Sequence, residues 1–309
     1  MTASPGAVAA LVAVIWGLCF VLIQAALPSA APLLLAGIRA LIGGAILAGL
    51  ALVTRRSARG ERPPRRSDRW SGLPSVSVLL VLALANASVA FGAMYLAAGR
   101  AEAAVASILG GGQPVVLAAA GWAFFGERAS FRATLGLLVA MVGVVVVATT
   151  SSGATSPDGV ALSVLATAAP AAGTVMMRRL GPGIDLLTTT GVQFLIGGLM
   201  LLGVSSLVEP WAVVTWSWTT IVGLLTLGVL GTGVAYLAWF WLLGRTTLAQ
   251  LGAALFLVPV VGVVSGILTG DRPAFAEVVG ITAMLLGIGL VTAGSGPESA
   301  PVRPRSEAT

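Results

Sequence analysis

The sequence has no histidine and no lysine; all 17 of its basic residues are arginine. It has one cysteine, Cys19, and two tyrosines, Tyr95 and Tyr236. Each absence removes a class of function. A Walker phosphate loop needs its lysine, so ATP hydrolysis by that route is excluded. Without histidine, and with a single thiol, the chain can build neither an imidazole or thiolate zinc site nor a histidine-based catalytic triad. Cys19 has no disulfide partner within the chain and reads as a small buried residue. Acids are also scarce inside the apolar runs, with Glu102, Asp185 and Glu277 at run ends. Intramembrane proton relays use a buried acid or histidine. Proton coupling therefore stays open beside uniport and exchange, and no metal or other cofactor is implied.

What fills the chain is hydrocarbon. It is 57% hydrophobic and 9% charged, with a mean hydropathy of +1.01. Runs of the ~18 or more apolar residues needed to cross ~30 Å of bilayer follow one another along nearly the whole sequence. The net charge of +6 would point a soluble chain toward nucleic acid. Here the arginines cluster in short loops between apolar runs, so the expected partners are the lipid bilayer and a small-molecule substrate, with no nucleic acid. The oligomeric state is not legible.

The pattern predicts an all-α integral membrane protein with ten spans, near 5–27, 32–54, 75–98, 102–125, 131–150, 159–177, 186–208, 217–243, 247–269 and 274–294. Breaks fall at Pro, Gly, Ser or charged clusters such as Leu27-Pro28-Ser29 and Gly181-Pro182-Gly183. The first run lacks a basic leader and a clear small-residue cleavage site, so it is expected to be a retained helix. Residues 295–309, rich in Pro, Ser, Glu and Arg, are expected to be disordered.

The spans form a unit written twice. Gly99-Arg100, Pro114, Gly126-Glu127-Arg128, Gly136 and Gly143 return in order as Gly244-Arg245, Pro259, Gly270-Asp271-Arg272, Gly280 and Gly287. Upstream, Gly37-Ile38-Arg39 and Leu41-Ile42-Gly43-Gly44 return as Gly191-Val192-Gln193 and Leu195-Ile196-Gly197-Gly198. The expected domains are 1–150 and 159–294, each a five-helix repeat, joined by a linker at 151–158.

Arginine asymmetry orients the chain. Arg55, Arg56, Arg59, Arg62, Arg65, Arg66 and Arg69 share one loop, which places it in the cytoplasm. Ten spans then put both termini of a cell-membrane protein in the cytoplasm, leaving only Arg100 and Arg272 outside. Five spans per repeat is odd, so the second copy must cross the membrane inverted. Inverted repeats are the architecture of many secondary transporters.

Over residues 5–294 the chain resembles the EamA-type members of the drug/metabolite transporter superfamily. The resemblance rests on the two five-span copies, Trp16-Gly17 followed by Phe20-Val21, and a helix-Pro-helix ending in Gly126-Glu127-Arg128. It implies a permease or exporter of a small organic metabolite, amino acid or drug-like solute. Trp16 has no counterpart, because Pro170 occupies its place in the second copy.

Candidate site residues follow from polarity and repeat position. Arg39 lies seven residues past Pro32, about 10 Å into its span. A central arginine costs at least ~2.5 kcal/mol, so it either faces a cavity or partner, or snorkels to the interface. Phe91 with Tyr95, and Tyr236 with Phe240, are i, i+4 pairs at equivalent positions; they line a pocket or simply pack. Gln113, Asn86 and Gln193 are neutral amides that can bond one another or a ligand. Pro114 and Pro259 are candidate hinges, helped at the first by Gly110-Gly111-Gly112. Trp239 and Trp241 read as interface anchors. The expected substrate site is Trp16, Arg39, Phe91, Tyr95, Gln113, Tyr236 and Phe240, with Pro114, Pro259 and Gly110 as the kink or gate. The competing readings are a non-transporting scaffold or sensor, and an intramembrane transferase. The second lacks any clustered nucleophile, base or metal site.

The orientation has a direct check. In a Cys19→Ser background, Ser67→Cys should resist an impermeant thiol reagent in intact cells and react in inverted vesicles. Labelling in intact cells would overturn the topology.

Overall fold

A computed structural model describes residues 4–58, 72–98, 100, 103–127, 130–148, 156–181, 183–211, 214–258, 260, 261, 264 and 274–294. Most of the Arg-rich loop, residues 151–155 of the linker, Pro259, Gly270-Asp271-Arg272 and the tail from 295 lie outside the described residues. Within them every regular element is helical. In chain order these are α1 (Pro5–Ala26), α2 (Pro32–Ala58), α3 (Val76–Ala97), α4 (Ala103–Phe125) and α5 (Phe131–Ala148). The second half gives α6 (Pro157–Leu180), α7 (Leu186–Val208), α8 (Trp218–Leu243), α9 (Leu248–Ala253) and α10 (Phe275–Gly294). Six helices, α1 to α3 and α6 to α8, are long and apolar enough to cross a membrane. Shorter apolar stretches occupy α4, α5 and α10.

Helix starts are written in the local sequence. Ser4, Ser75, Ser156, Asp185, Ser217 and Thr247 each accept a hydrogen bond from a first-turn N–H, and Pro5 and Pro157 open their helices where no donor is needed. Gly181, at φ +72°, ends α6 in a conformation that favours glycine.

The expected interruption at Pro114 is absent. Helix α4 stays α-helical through Gly110 and Pro114 to Phe125. Helix α9 backs directly onto the proline: a Cβ added at Gly252 would lie 2.8 Å from Pro114 Cα. The irregular turns fall elsewhere. Helix α3 widens into a π-helical stretch at Leu84–Val89, and α8 does the same at Val229–Val234, the equivalent place in the second copy. Each stretch carries a hydroxyl that donates to a carbonyl five residues back: Ser88 to Ala83 at 3.4 Å and Thr232 to Leu227 at 3.2 Å.

Two antiparallel helix pairs join the halves, and glycines bring both into backbone contact. In α2 and α7, a Cβ at Gly37 would lie 3.2 Å from Gly198 O, and one at Gly44 would lie 3.0 Å from Gly191 O. In α5 and α10, Gly136 faces Gly287 O at 2.6 Å and Gly143 faces Gly280 O at 2.5 Å by the same measure. Both pairs have the form that small-residue interfaces take in lipid, where dispersion and close packing replace the hydrophobic effect. The main core gathers α1, α2, α3, α7 and α8 around Phe91, Tyr95, Phe194, Tyr236 and Trp239. A second, smaller core of Ala118, Leu137, Ala140, Val144, Phe256 and Met284 ties α5 and α10 to α4 and α9. Large apolar side chains such as Leu52, Leu138, Leu207 and Leu286 remain exposed on the outside, as lipid-facing residues do.

The glycine contacts give a test. Gly143→Leu should destabilise the detergent-solubilised protein by about 1–3 kcal/mol or prevent its assembly, because its side chain would meet the backbone of α10. Gly49→Ala, on α2 with open space around it, should be neutral or stabilise by up to about 1 kcal/mol. Thermal unfolding monitored by circular dichroism separates the two.

Candidate functional site

The π-helical stretch of α8 is the anchor of the polar centre. Where a helix widens, carbonyls lose their regular partners, and here two side chains from the first half take them. Trp16 of α1 donates its indole N–H to Gly231 O at 3.1 Å. Arg39 of α2 donates from Nη2 to the same oxygen at 3.3 Å and from Nε to Thr232 Oγ1 at 3.0 Å. The arginine is 2% exposed, and its guanidinium sits 4.4 Å from the centre of the Phe91 ring. Its Nη1 has no hydrogen-bond partner, and neither does the Tyr95 hydroxyl one turn beyond Phe91. The four carboxylates whose side chains are described, Glu127, Asp158, Asp185 and Glu209, are all engaged elsewhere.

Aromatic rings enclose this centre. Trp16 packs against Tyr236 at 5.2 Å and Trp239 at 5.1 Å between ring centres. Tyr236 also meets Phe194 at 4.6 Å, Phe240 at 5.9 Å and Phe91 at 6.0 Å. Of the residues expected at the site, Trp16, Arg39, Phe91, Tyr95, Tyr236 and Phe240 therefore lie in one core. Gln113 is half-buried on α4 beside Pro114, and among the described residues no hydrogen bond joins it to the aromatic cluster. Gly110 lies within the regular part of α4. Pro259 falls outside the described residues.

Several participants were not visible in the sequence. Phe194 is wholly buried between Phe91 and Tyr236, and its only signal was its place beside Gln193. Trp239 is no interface anchor. It is 2% exposed and donates to Thr174 Oγ1 at 3.1 Å, because the face of α8 that carries Tyr236 and Phe240 carries it inward too. Trp241 does sit at the helix end, with the Arg245 guanidinium 4.0 Å from its ring centre. The amides Asn86 and Gln193 bond each other at 3.1 Å, in the π-helical stretch of α3.

A second polar constellation lies where α4 and α6 end and α9 begins. Glu127, in the turn opened by Gly126 at φ +64°, accepts the Leu248 N–H at 2.9 Å and pairs with Arg178 at 2.6 Å. Both side chains are under 10% exposed. The carboxylate thus caps the start of α9 and neutralises a buried cation. The α2–α7 pair is held at its two ends in a related way. Arg55 pairs with Asp185, while Glu209 accepts from Leu33 and Leu34 N–H at 2.8 and 3.0 Å. Burial opposes ionisation of Asp185, but Thr188 and Arg55 hold its carboxyl below the usual range. An open cleft of about 610 Å³ lies between α4 and α6, lined by Val116, Ala120, Ala168 and Ala172 and separate from the aromatic centre.

This arrangement offers hydrogen-bond donors, a cation and ring faces, but no nucleophile with a base. The profile of the EamA-like transporter family matches residues 4–149 and again residues 158–293. The chain belongs to the EamA-like transporter family. It is similar to "Uncharacterized transporter YvbV" of Bacillus subtilis, 29% identical over 94% of this chain and 92% of the relative. It also matches "Protein PecM" of Dickeya dadantii, 28% identical over 82% and 80%. The "Probable amino-acid metabolite efflux pump" of Salmonella typhimurium is 27% identical over 93% and 94%. One solved crystal structure superposes with a TM-score of 0.75 over 94% of this chain and 96% of its own, at 18% identity, which establishes the shared fold. As an EamA-like protein, the chain is a multi-pass membrane transporter and not an enzyme.

The Glu127 contacts predict a graded loss in this EamA-like chain. Glu127→Ala leaves Arg178 buried without its anion and Leu248 N–H uncapped, and should cost about 3–5 kcal/mol of stability. Glu127→Gln keeps an acceptor and should cost less. Thermal unfolding of the two variants in detergent checks the order.

Proposed function

We propose that the chain is a secondary transporter that exports a small organic metabolite, amino acid or drug-like solute across the cytoplasmic membrane. It works by alternating access of two inverted five-helix repeats, with ten spans and both termini in the cytoplasm. One observation carries this reading: contacts between the halves recur with the halves exchanged. Gly37 meets Gly198, and the repeat-equivalent residues, Gly191 and Gly44, meet each other. Gly136 meets Gly287, and their equivalents, Gly280 and Gly143, do the same. Arg39 reaches Gly231 of the second half, while its equivalent Gln193 reaches Asn86, the equivalent of Gly231, in the first.

A contact that repeats with its partners exchanged is what a two-fold axis produces. Because the glycine-paired helices run antiparallel, that axis lies across them, and the halves have opposite orientations in the membrane. Two related packings of one unit supply an outward-open and an inward-open state with the site between them. The solute-facing residues in this reading are Trp16, Arg39, Phe91, Tyr95, Gln113, Tyr236 and Phe240. Gly110, Pro114 and Pro259 act as points of give in α4 and its counterpart. The outward direction is supported by the efflux pump among the relatives.

Purified protein in proteoliposomes should drive counterflow of at least one labelled solute from a panel of amino acids, their metabolites and lipophilic drugs. Tyr236→Ala should cut that flux tenfold or more while eluting as the parent protein does. Flux no greater than that of protein-free liposomes across the whole panel would overturn the transport reading.

A further inference from the structure

Among the described buried polar groups that leave an atom without a hydrogen-bond partner, the Arg39 guanidinium is the one that carries a full charge. Charges in hydrocarbon are paired, hydrogen-bonded or open to water. Arg39 is 2% exposed and spends two of its donor nitrogens on neutral acceptors, Gly231 O and Thr232 Oγ1. Its third nitrogen, Nη1, has no partner, and no described carboxylate balances the charge. The Tyr95 hydroxyl is wholly buried beside the guanidinium, within loose hydrogen-bonding reach of it, and makes no hydrogen bond of regular geometry. The chain has thus placed a full positive charge and two free donors together, beneath the face of Phe91 and beside Tyr236.

We propose that Arg39 Nη1 and the Tyr95 hydroxyl receive the carboxylate of an amphipathic monocarboxylate, whose apolar body takes the place of the ring contacts now closed among Trp16, Phe91, Phe194, Tyr236 and Phe240 when the halves part. This deepens the transport reading and rests on it, naming the substrate class of the same site. A carboxylate supplies both the missing counter-charge and two acceptor oxygens, and charge-assisted bonds are the stronger kind. A cationic solute is repelled by the same group. A neutral one leaves the charge unbalanced. The second half carries Gln193 at the equivalent place, bonded once to Asn86; its free Nε2 is a neutral donor, so that position carries no charge for an anion to balance. Recognition is therefore one-sided in an otherwise paired architecture.

The test is calorimetric titration of the full-length protein in detergent with 3-phenylpropionate and octanoate, each beside its primary amide. Each acid should bind at least tenfold more tightly than its amide. Arg39→Gln, which installs the second half's own residue, should erase that preference. Arg39→Lys should keep part of it, and Tyr95→Phe should reduce it two- to fivefold. Equal binding of acid and amide by the parent protein, binding of neither, or a preference that survives Arg39→Gln would overturn the proposal. Flux in proteoliposomes separates this from failure of the transport reading. A binding preference without flux leaves the site and removes the transporter mechanism. Flux of acids and amides at equal rates, with equal affinities, does the reverse.

Discussion

In a lipid interior a backbone carbonyl released from its helix must find another donor, and the centre of this protein is built on that requirement. Helix α8 widens at Val229–Val234, and the freed Gly231 oxygen draws the Trp16 indole and the Arg39 guanidinium onto it from two helices of the other half. Thr232 completes the arrangement, donating to Leu227 O and accepting from Arg39 Nε. The aromatic rings then pack around side chains whose positions the backbone has already set. Restoring a regular helix there would take Gly231 O away from Arg39 and leave the guanidinium leaning on the Phe91 ring.

The glycines solve a different problem. Two helices that carry full side chains at their interface keep their axes well apart, whereas glycine on both sides lets backbone touch backbone. Helices α2 with α7 and α5 with α10 use this at two levels. The inner pair carries Arg39 and Gln193 on helices close enough for each side chain to reach a π-helical stretch in the opposite half. The outer pair has almost no polar group and shares its own small core with α4 and α9. Polar chemistry gathers where the inner pair meets the π-helical stretches, and at the helix ends, where Glu127, Asp185 and Glu209 cap or neutralise what the lipid would otherwise penalise.

Much of this could be read from the sequence. The repeat was legible because glycine and proline recur at matching positions, and those residue types mark close approach and turns whatever surrounds them. The family followed from the same residues. Arg39, Phe91, Tyr95 and Tyr236 stood out because polar or amphipathic groups are conspicuous in apolar runs. The π-helical stretches were invisible, since Leu84–Val89 and Val229–Val234 contain nothing that regular helix would exclude. Pro114 draws attention as a breaker, yet its helix stays intact, with the backbone of α9 packed directly against it. Trp239 was misread because a tryptophan near a helix end serves the interface or the core equally well, and only the packing of α1 decides.

The mismatch between Arg39 and Gln193, echoed by Trp16 and Pro170, bears on energetics. A molecule with two identical interchangeable halves has two conformations of equal depth, because each is the other seen from the opposite side. It would rest half its time in each. Here the halves are alike in their paired glycines and π-helical turns but differ at buried polar positions such as Arg39 and Gln193. In the alternating-access mechanism proposed above, such differences lift the degeneracy and tilt one well against the other.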